Sequence, residues 1–193
     1  MTSVTDASGA AARYTYNALG SVDNVVAPNG ISSTYRYDIN GKLLQLVHRK
    51  GDGSVVSGVR YVLADNGQRT AMDEFDSAST YGDAGPANPA RVSEYRYDGF
   101  GRLVQEKVGG RGAEARTTDY AYDKAGNRTL KTTLGTAGVE TVRYTYDSND
   151  RLVQESKTSI TGTTVLTAYT WDANGSLASK TSGGVSTFYA WNS

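Results

Sequence analysis

Tyr95-Arg96-Tyr97-Asp98-Gly99-Phe100-Gly101-Arg102-Leu103 is one copy of a phrase, Tyr-x-Tyr-Asp-x-x-Gly-x-Leu, that recurs along this chain. Further copies start at Tyr14, Tyr35, Tyr120, Tyr144 and Tyr169. A weaker one runs from Tyr61 through Leu63 to Gly67, and a last one begins at Tyr189-Ala190-Trp191-Asn192. All of the 14 tyrosines except Tyr81 belong to the phrase. Self-similarity with a period of about two dozen residues marks stacked units and outweighs any single-residue motif.

Tyr-x-Tyr places both rings on one face of an extended strand, because side chains alternate faces with period two. Asp-x-x-Gly is a type I turn ending in a left-handed residue, a common hairpin connection with a bulge. The Asp side chain accepts a bond from a backbone N–H two residues on, and Gly takes positive φ without strain. Asp150 stands where the other copies have Gly, and Asp tolerates that conformation at some cost.

Such a turn pairs Asp98 with Arg102, so that Tyr97 faces Leu103 and Tyr95 faces Gln105. The same register sets Tyr16 against Val22, Tyr37 against Leu43, Tyr146 against Leu152 and Trp171 against Leu177, each a cross-strand pair contributing about 0.2–1 kcal/mol. Leu63 meets Arg69 and Tyr122 meets Arg128, where the guanidinium can lie on the Tyr ring. The residues between the tyrosines (Thr15, Arg36, Val62, Arg96, Ala121, Thr145, Thr170) mostly suit a wetter face. Leu44, Val104 and Val153 fall on that side too.

A second set of turns, Ala7-Ser8-Gly9, Pro28-Asn29-Gly30 and Ser182-Gly183-Gly184, precedes Tyr14, Tyr35 and Tyr189. Turns at both ends of the strands make an antiparallel meander. The expected fold is therefore all-β: an array over 1–193 of seven hairpin repeats, with partial repeats at both ends and an extended loop at 71–91. About sixteen strands spaced at about 4.8 Å would make a flat ribbon of about 75 Å. Open sheets beyond about ten strands usually curl, which predicts a curved or spiralling sheet. Met1 falls at the place of Leu43 or Leu103, and Trp191-Asn192-Ser193 stops at a turn. The expectation is a segment of something longer, whose open edges associate with one another.

The 20 basic and 20 acidic residues cancel, which argues against nucleic acid as a main partner. No apolar run of membrane length and no export signal occurs, and the absence of Cys rules out a disulfide framework. The recurring Asp38, Asp98, Asp123, Asp147 and Asp172 read as turn caps rather than paired acids. Asp147-Ser148-Asn149-Asp150 is the nearest approach to a calcium loop and lacks its full ligand set. His48, the single histidine, has no nucleophile elbow beside it. Gly99-Phe100-Gly101 and Gly109-Gly110-Arg111-Gly112 read as turns, since no helix or Gly-Lys-Ser/Thr follows. The expectation is no enzyme, no catalytic residue, no metal and no cofactor. Rows of aromatics can stack on sugars, so Tyr14, Tyr35, Tyr95, Tyr120, Tyr144 and Tyr169 are the candidate residues for an alternative reading as a carbohydrate- or cell-surface-binding module. Packing against neighbouring rungs accounts for the same residues.

The segment Tyr95 to Glu106 resembles the Rhs, or YD, repeat of bacterial Rhs polymorphic toxins, insecticidal toxin complexes and teneurins, and the likeness covers the chain apart from 71–91. The resemblance implies a spiral of β-hairpins forming the wall of a hollow shell. In bacterial members the shell encloses a toxic C-terminal domain and releases it after delivery through a dedicated secretion system such as type VI. The implied partners are the remainder of the shell and the enclosed toxin, and the implied location is the cytoplasm before export and the outside after it. The family's self-cleaving core carries an Asp-Pro-x-Gly element, and none of Pro28, Pro86 and Pro89 follows an Asp. Only the wall-building Tyr, Asp and Gly positions carry over.

Overall fold

In the computed structural model, which describes residues 2–5, 7, 9–79, 81, 82, 85, 86 and 88–191, the chain is strand and turn, with no helix among those residues. Sixteen strands are hydrogen-bonded in chain order as an antiparallel meander, and a separate two-residue ladder pairs Tyr81–Gly82 with Gly85–Pro86. Met1, Ser8, Asn192 and Ser193, on which some expectations about the chain's ends rest, lie outside the described residues. Two compact units divide the chain: Met1–Tyr95 with Lys107–Glu114, and Arg96–Glu106 with Ala115–Ser193. In the first, successive strands include Ala11–Tyr16, Val22–Val26, Ser32–Tyr37, Leu43–Arg49, Val55–Leu63 and Arg69–Asp76. In the second they include Arg116–Tyr122, Arg128–Gly135, Gly138–Tyr146, Leu152–Thr158, Thr164–Trp171, Leu177–Ser182 and Val185–Phe188.

Each phrase builds its hairpin as its local chemistry requires. Asp98 N–H donates to the Arg102 carbonyl at 2.9 Å and Gly101 N–H to the Asp98 carbonyl at 3.0 Å. Asp98 Oδ1 accepts from Phe100 N–H at 2.9 Å and also from Arg102 N–H at 3.0 Å, so one carboxylate oxygen closes the turn from inside. Asn17, Asp38, Asp147 and Asp172 accept the same two bonds. Asp150, at φ 59°, is the single positive-φ residue other than Gly among those described.

The pairs next to the turn are those expected: Tyr16 with Val22, Tyr37 with Leu43, Leu63 with Arg69, Tyr122 with Arg128, Tyr146 with Leu152 and Trp171 with Leu177. Further from the turn the expected register fails. Tyr14 pairs with Val25, Tyr35 with Leu46, Tyr120 with Lys131, Tyr144 with Glu155 and Tyr169 with Lys180, each one residue beyond the simple alternation that set Tyr95 against Gln105. The cause is a bulge one step into the second strand. Its extra residue is Asp23, Leu44, Thr70, Thr129, Val153 or Ala178, and two residues there oppose one. Beyond the bulge every side chain changes face relative to an unbulged strand.

The bulge also separates each hairpin from the next near its turn. Pairing of Val22–Val26 with the following strand ends at Asn24, and that of Leu152–Thr158 ends at Gln154. The second aromatic of the following phrase bridges the gap. Tyr37 Oη donates to the Val22 carbonyl at 2.9 Å, Tyr122 to Leu103 at 2.7 Å and Tyr146 to Arg128 at 3.0 Å. Trp171 Nε1 donates to Leu152 at 2.9 Å and Trp191 Nε1 to Leu177 at 2.8 Å. This explains why the position holds Tyr or Trp rather than Phe: it needs an aromatic body with a polar hydrogen at its far end. In the third hairpin Leu63 has no such hydrogen to give. Tyr146→Phe is expected to lower stability by about 0.5–1.5 kcal/mol for the lost bond, rising toward about 3 kcal/mol if the carbonyl finds no water. Tyr16→Phe, at a residue 47% exposed, should be nearly silent. Urea denaturation of both variants checks the contrast.

The segment expected as a loop at 71–91 is shorter. Residues 71–76 complete the strand Arg69–Asp76, and Arg91 opens the strand Arg91–Tyr97. Two nonlocal contacts hold 71–76 in the sheet. Asp73 accepts from Arg60 Nε at 2.9 Å in a cross-strand ion pair, and Phe75, buried to 2% exposure, lies against Gly58. Val47 pairs with Gly58 in the same row and is also buried, so Val47, Gly58 and Phe75 form the centre of the first unit's core.

Candidate functional site: the tyrosine face

The six candidate tyrosines all lie half-buried in their strands, whereas the residue between the two aromatics is exposed in every phrase but the first, where Thr15 is half-buried. In the second unit Tyr120 and Tyr144 come together around Arg128, whose guanidinium is 5.8 Å from the first ring centroid and 4.6 Å from the second. Arg128 therefore stacks on tyrosines flanking its backbone partner Tyr122 and not on Tyr122 itself, which is covered by Arg102 at 4.8 Å. The reason is the direction of the staple: Tyr146 reaches over the Arg128 carbonyl, bringing Tyr144 on the same strand beside the Arg side chain. In the first unit Arg69, the backbone partner of Leu63, lies 4.1 Å from the Tyr61 ring, a contact the sequence reading did not name.

Lys180 lies 5.9 Å from the Tyr169 ring, while Tyr169 Oη donates to Glu155 Oε2 at 2.8 Å. Burial, reinforced by that bond to an anion, pushes the Tyr169 hydroxyl up to about 12 from its ordinary 10.0. Burial likewise raises Tyr120 and Tyr146. A folded value above the unfolded one means the stabilisation is complete below pH 10 and is lost as pH rises through about 12. Tyr169 should still be protonated when exposed tyrosines have ionised. Comparing phenolate absorbance of the parent and Tyr169→Phe across that window checks this, and a difference between the two that develops fully around pH 10, with the exposed tyrosines, would refute it.

The aspartates stay in their turns. The backbone N–H of Arg102, and then its side chain, hold the Asp98 carboxyl below the usual range, and Arg151 does the same for Asp147. Asp150 accepts from Asn127 Nδ2 at 2.6 Å, joining neighbouring turns. No group of three or more His, Cys, Asp or Glu able to hold a metal occurs among the described residues. His48 Nδ1 shares a 2.8 Å hydrogen bond with Ser33 Oγ across adjacent strands. The carboxylate at the far end of that row, Asp76, is engaged by Arg111 and by Ala78 N–H.

Several contacts lay beyond the sequence reading. Arg111 N–H donates to Pro89 and Gly112 N–H to Ala90, so the Gly109–Gly112 stretch, read as a turn, clamps the foot of the segment after Asp76. In the first unit a groove of about 1000 Å³ is lined by Leu19, Arg36, Ile39, Leu44 and Val62 together with the phrase residues Tyr35, Tyr37 and Tyr61. Leu19 and Ile39 are exposed apolar residues at turn tips, the one sign of it that the sequence carried.

The solved structure of TcdB2–TccC3–Cdc42 superposes on this chain with a TM-score of 0.68, over 93% of this chain and 9% of that one, at 18% identity. The chain has the fold of that region. TcdB2–TccC3 without its hypervariable C-terminal region matches at a TM-score of 0.54 and 14% identity, over 89% of this chain and 10% of that one. This chain thus spans about a tenth of the length of the structures it resembles. No family model and no curated relative matches it. No helix among the described residues is long and apolar enough to cross a membrane.

Proposed function

We propose that this chain is a non-catalytic wall segment of an Rhs-type β-shell, which encloses or scaffolds a toxin or effector domain exported by a dedicated secretion system. The observation that supports this most is the use of the repeated letters. The second aromatic staples hairpin to hairpin, the Asp caps its own turn, and the Gly or Asp150 takes the left-handed position. Chemistry invested in a continuous sheet suits a wall, and the fold shared with TcdB2–TccC3 fits that use. The partners on this reading are the rest of the shell and its enclosed domain. Every residue of the edge strands Thr2–Thr5 and Val185–Phe188 is exposed, and the isolated chain should associate through them, a point that sedimentation over a range of concentrations tests.

The deciding experiment is capture of the native protein from its source with an antibody to this segment, followed by electron microscopy and limited proteolysis. Hollow particles that shield a second polypeptide domain support the wall. Recovery without any shielded polypeptide, together with saturable glycan-array binding lost in Tyr35→Ala and Tyr144→Ala, would replace it with the surface-binding reading. Turnover of a hydrolase substrate lost in His48→Ala would overturn the non-catalytic part.

A further inference from the structure

Four Asn-Gly pairs, Asn29-Gly30, Asn40-Gly41, Asn66-Gly67 and Asn174-Gly175, occupy the third and fourth places of four turns. Their glycines have φ of 80°, 77°, 82° and 81°, and each donates its N–H to the carbonyl three residues back, at 2.9, 3.1, 2.7 and 3.1 Å. All four asparagines are exposed. What differs is which side chain caps the N–H that follows the Gly. Where the turn opens on Asp, the Asp takes it: Lys42 N–H donates to Asp38 Oδ1 and Ser176 N–H to Asp172 Oδ1, both at 2.8 Å. Where it opens on Ala27 or Ala64, the Asn takes it instead. Asn29 Oδ1 accepts from Ile31 N–H at 3.1 Å and Asn66 Oδ1 from Gln68 N–H at 2.9 Å, while Asn66 Nδ2 donates to Gln68 Oε1 at 2.7 Å. Asp52 caps Ser54 N–H in the same way in the turn that opens on Lys50. The side-chain amides of Asn40 and Asn174 have no hydrogen-bond partner among the described residues.

An Asn before Gly can react with its own backbone, because Gly has no side chain to shield its nitrogen or to restrict the rotation that closes the ring. The Gly nitrogen gives its proton to water and bonds to the Asn Cγ, and the side-chain nitrogen leaves as ammonia. Water then opens the resulting succinimide at one carbonyl or the other, leaving Asp or isoaspartate. Water is the only co-reactant, and nothing is oxidised or reduced. Closing the ring turns the Asn side chain toward the Gly nitrogen and breaks any bond that points it elsewhere. One net hydrogen bond lost on the way slows the step about 2- to 10-fold. The bond from the Gly N–H is given up in all four turns, so it does not distinguish them. We propose that Asn40 and Asn174, one in each compact unit, are this chain's sites of spontaneous deamidation and isoaspartate formation, while their capping bonds protect Asn29 and Asn66. The new carboxylate stands in a turn that already holds that of Asp38 or Asp172, and isoaspartate adds a methylene to the backbone of the turn. This holds whether or not the chain is part of a shell wall.

Ageing the intact chain in warm, mildly alkaline buffer tests it, with a sample in concentrated urea as the unfolded reference. Peptide mapping by mass spectrometry follows deamidation at each Asn, and labelling with an isoaspartyl methyltransferase reports isoaspartate. The expected result is conversion several-fold faster at Asn40 and Asn174 than at Asn29 and Asn66 in the folded chain, and similar rates at all four in urea. Two substitutions exchange the caps, with circular dichroism confirming the strands. Asp38→Ala leaves the Lys42 N–H to Asn40 and should slow Asn40 several-fold. Ala64→Asp supplies a competing cap for the Gln68 N–H and should speed Asn66 by a similar factor. Equal rates at the four sites in the folded chain would mean that opening of the turns, rather than capping, governs the reaction, and would overturn the assignment. Faster conversion at Asn29 or Asn66, acceleration of Asn40 by Asp38→Ala, or no conversion at Asn40 and Asn174 under conditions where the chain in urea reacts would overturn it as well.

Discussion

Phe75→Ala is expected to destabilise the first unit by about 3–5 kcal/mol, the range for removing a buried aromatic side chain and leaving a cavity. The ring is 2% exposed and sits in the row Val47, Gly58, Phe75, where Gly58 provides no side chain to close in on the space. In a chain with little buried aliphatic side chain, that single ring is a large fraction of the core. Few neighbours can collapse into the hole, so the upper part of the range applies. The urea midpoint should fall accordingly, and Phe75→Leu should recover most of the loss. A midpoint shift equivalent to less than about 1 kcal/mol would show that the ring is not packed as described.

Gly58→Ala should also destabilise, reversing the usual sign. In a strand interior, replacing Gly with Ala ordinarily gains about 0.5–1 kcal/mol by restricting the unfolded chain. Here the added Cβ would lie 2.3 Å from Phe75 Cζ and 2.6 Å from the Leu46 carbonyl oxygen. The ring can swing aside only by leaving its buried position, and the backbone oxygen cannot move without shifting a strand. Overpacking of this kind costs about 1–3 kcal/mol, which exceeds the entropic gain. The two substitutions should couple. With Phe75→Ala already present the ring clash disappears while the carbonyl clash stays, so the double variant should be less destabilised than the sum by about 0.5–3 kcal/mol. Additive effects would mean that Gly58 and Phe75 do not touch.

Both residues show where reading from the sequence stopped. Met72, Asp73 and Phe75 gave no repeat letter and lay beside Pro86 and Pro89, so 71–91 read as one loop. What makes 71–76 a strand is an ion pair to Arg60 and a ring on Gly58, partners about fifteen residues away that no local propensity announces. The candidate tyrosines were placed correctly on one side of their own strands. Their neighbours were not, because Arg128 and Glu155 meet Tyr144 and Tyr169 only across hairpins.

From its letters alone this chain determined the turns, the pairs beside them and the meander, since Asp-x-x-Gly closes through bonds spanning two to four residues and needs no help from afar. The three-dimensional arrangement alone decided where each bulge falls, and hence which side chains share a face beyond it and which carbonyl each Tyr or Trp caps. A one-residue slip in a period-two structure reverses every later side chain, and the bonds that close each turn do not reach far enough along the second strand to fix where it falls.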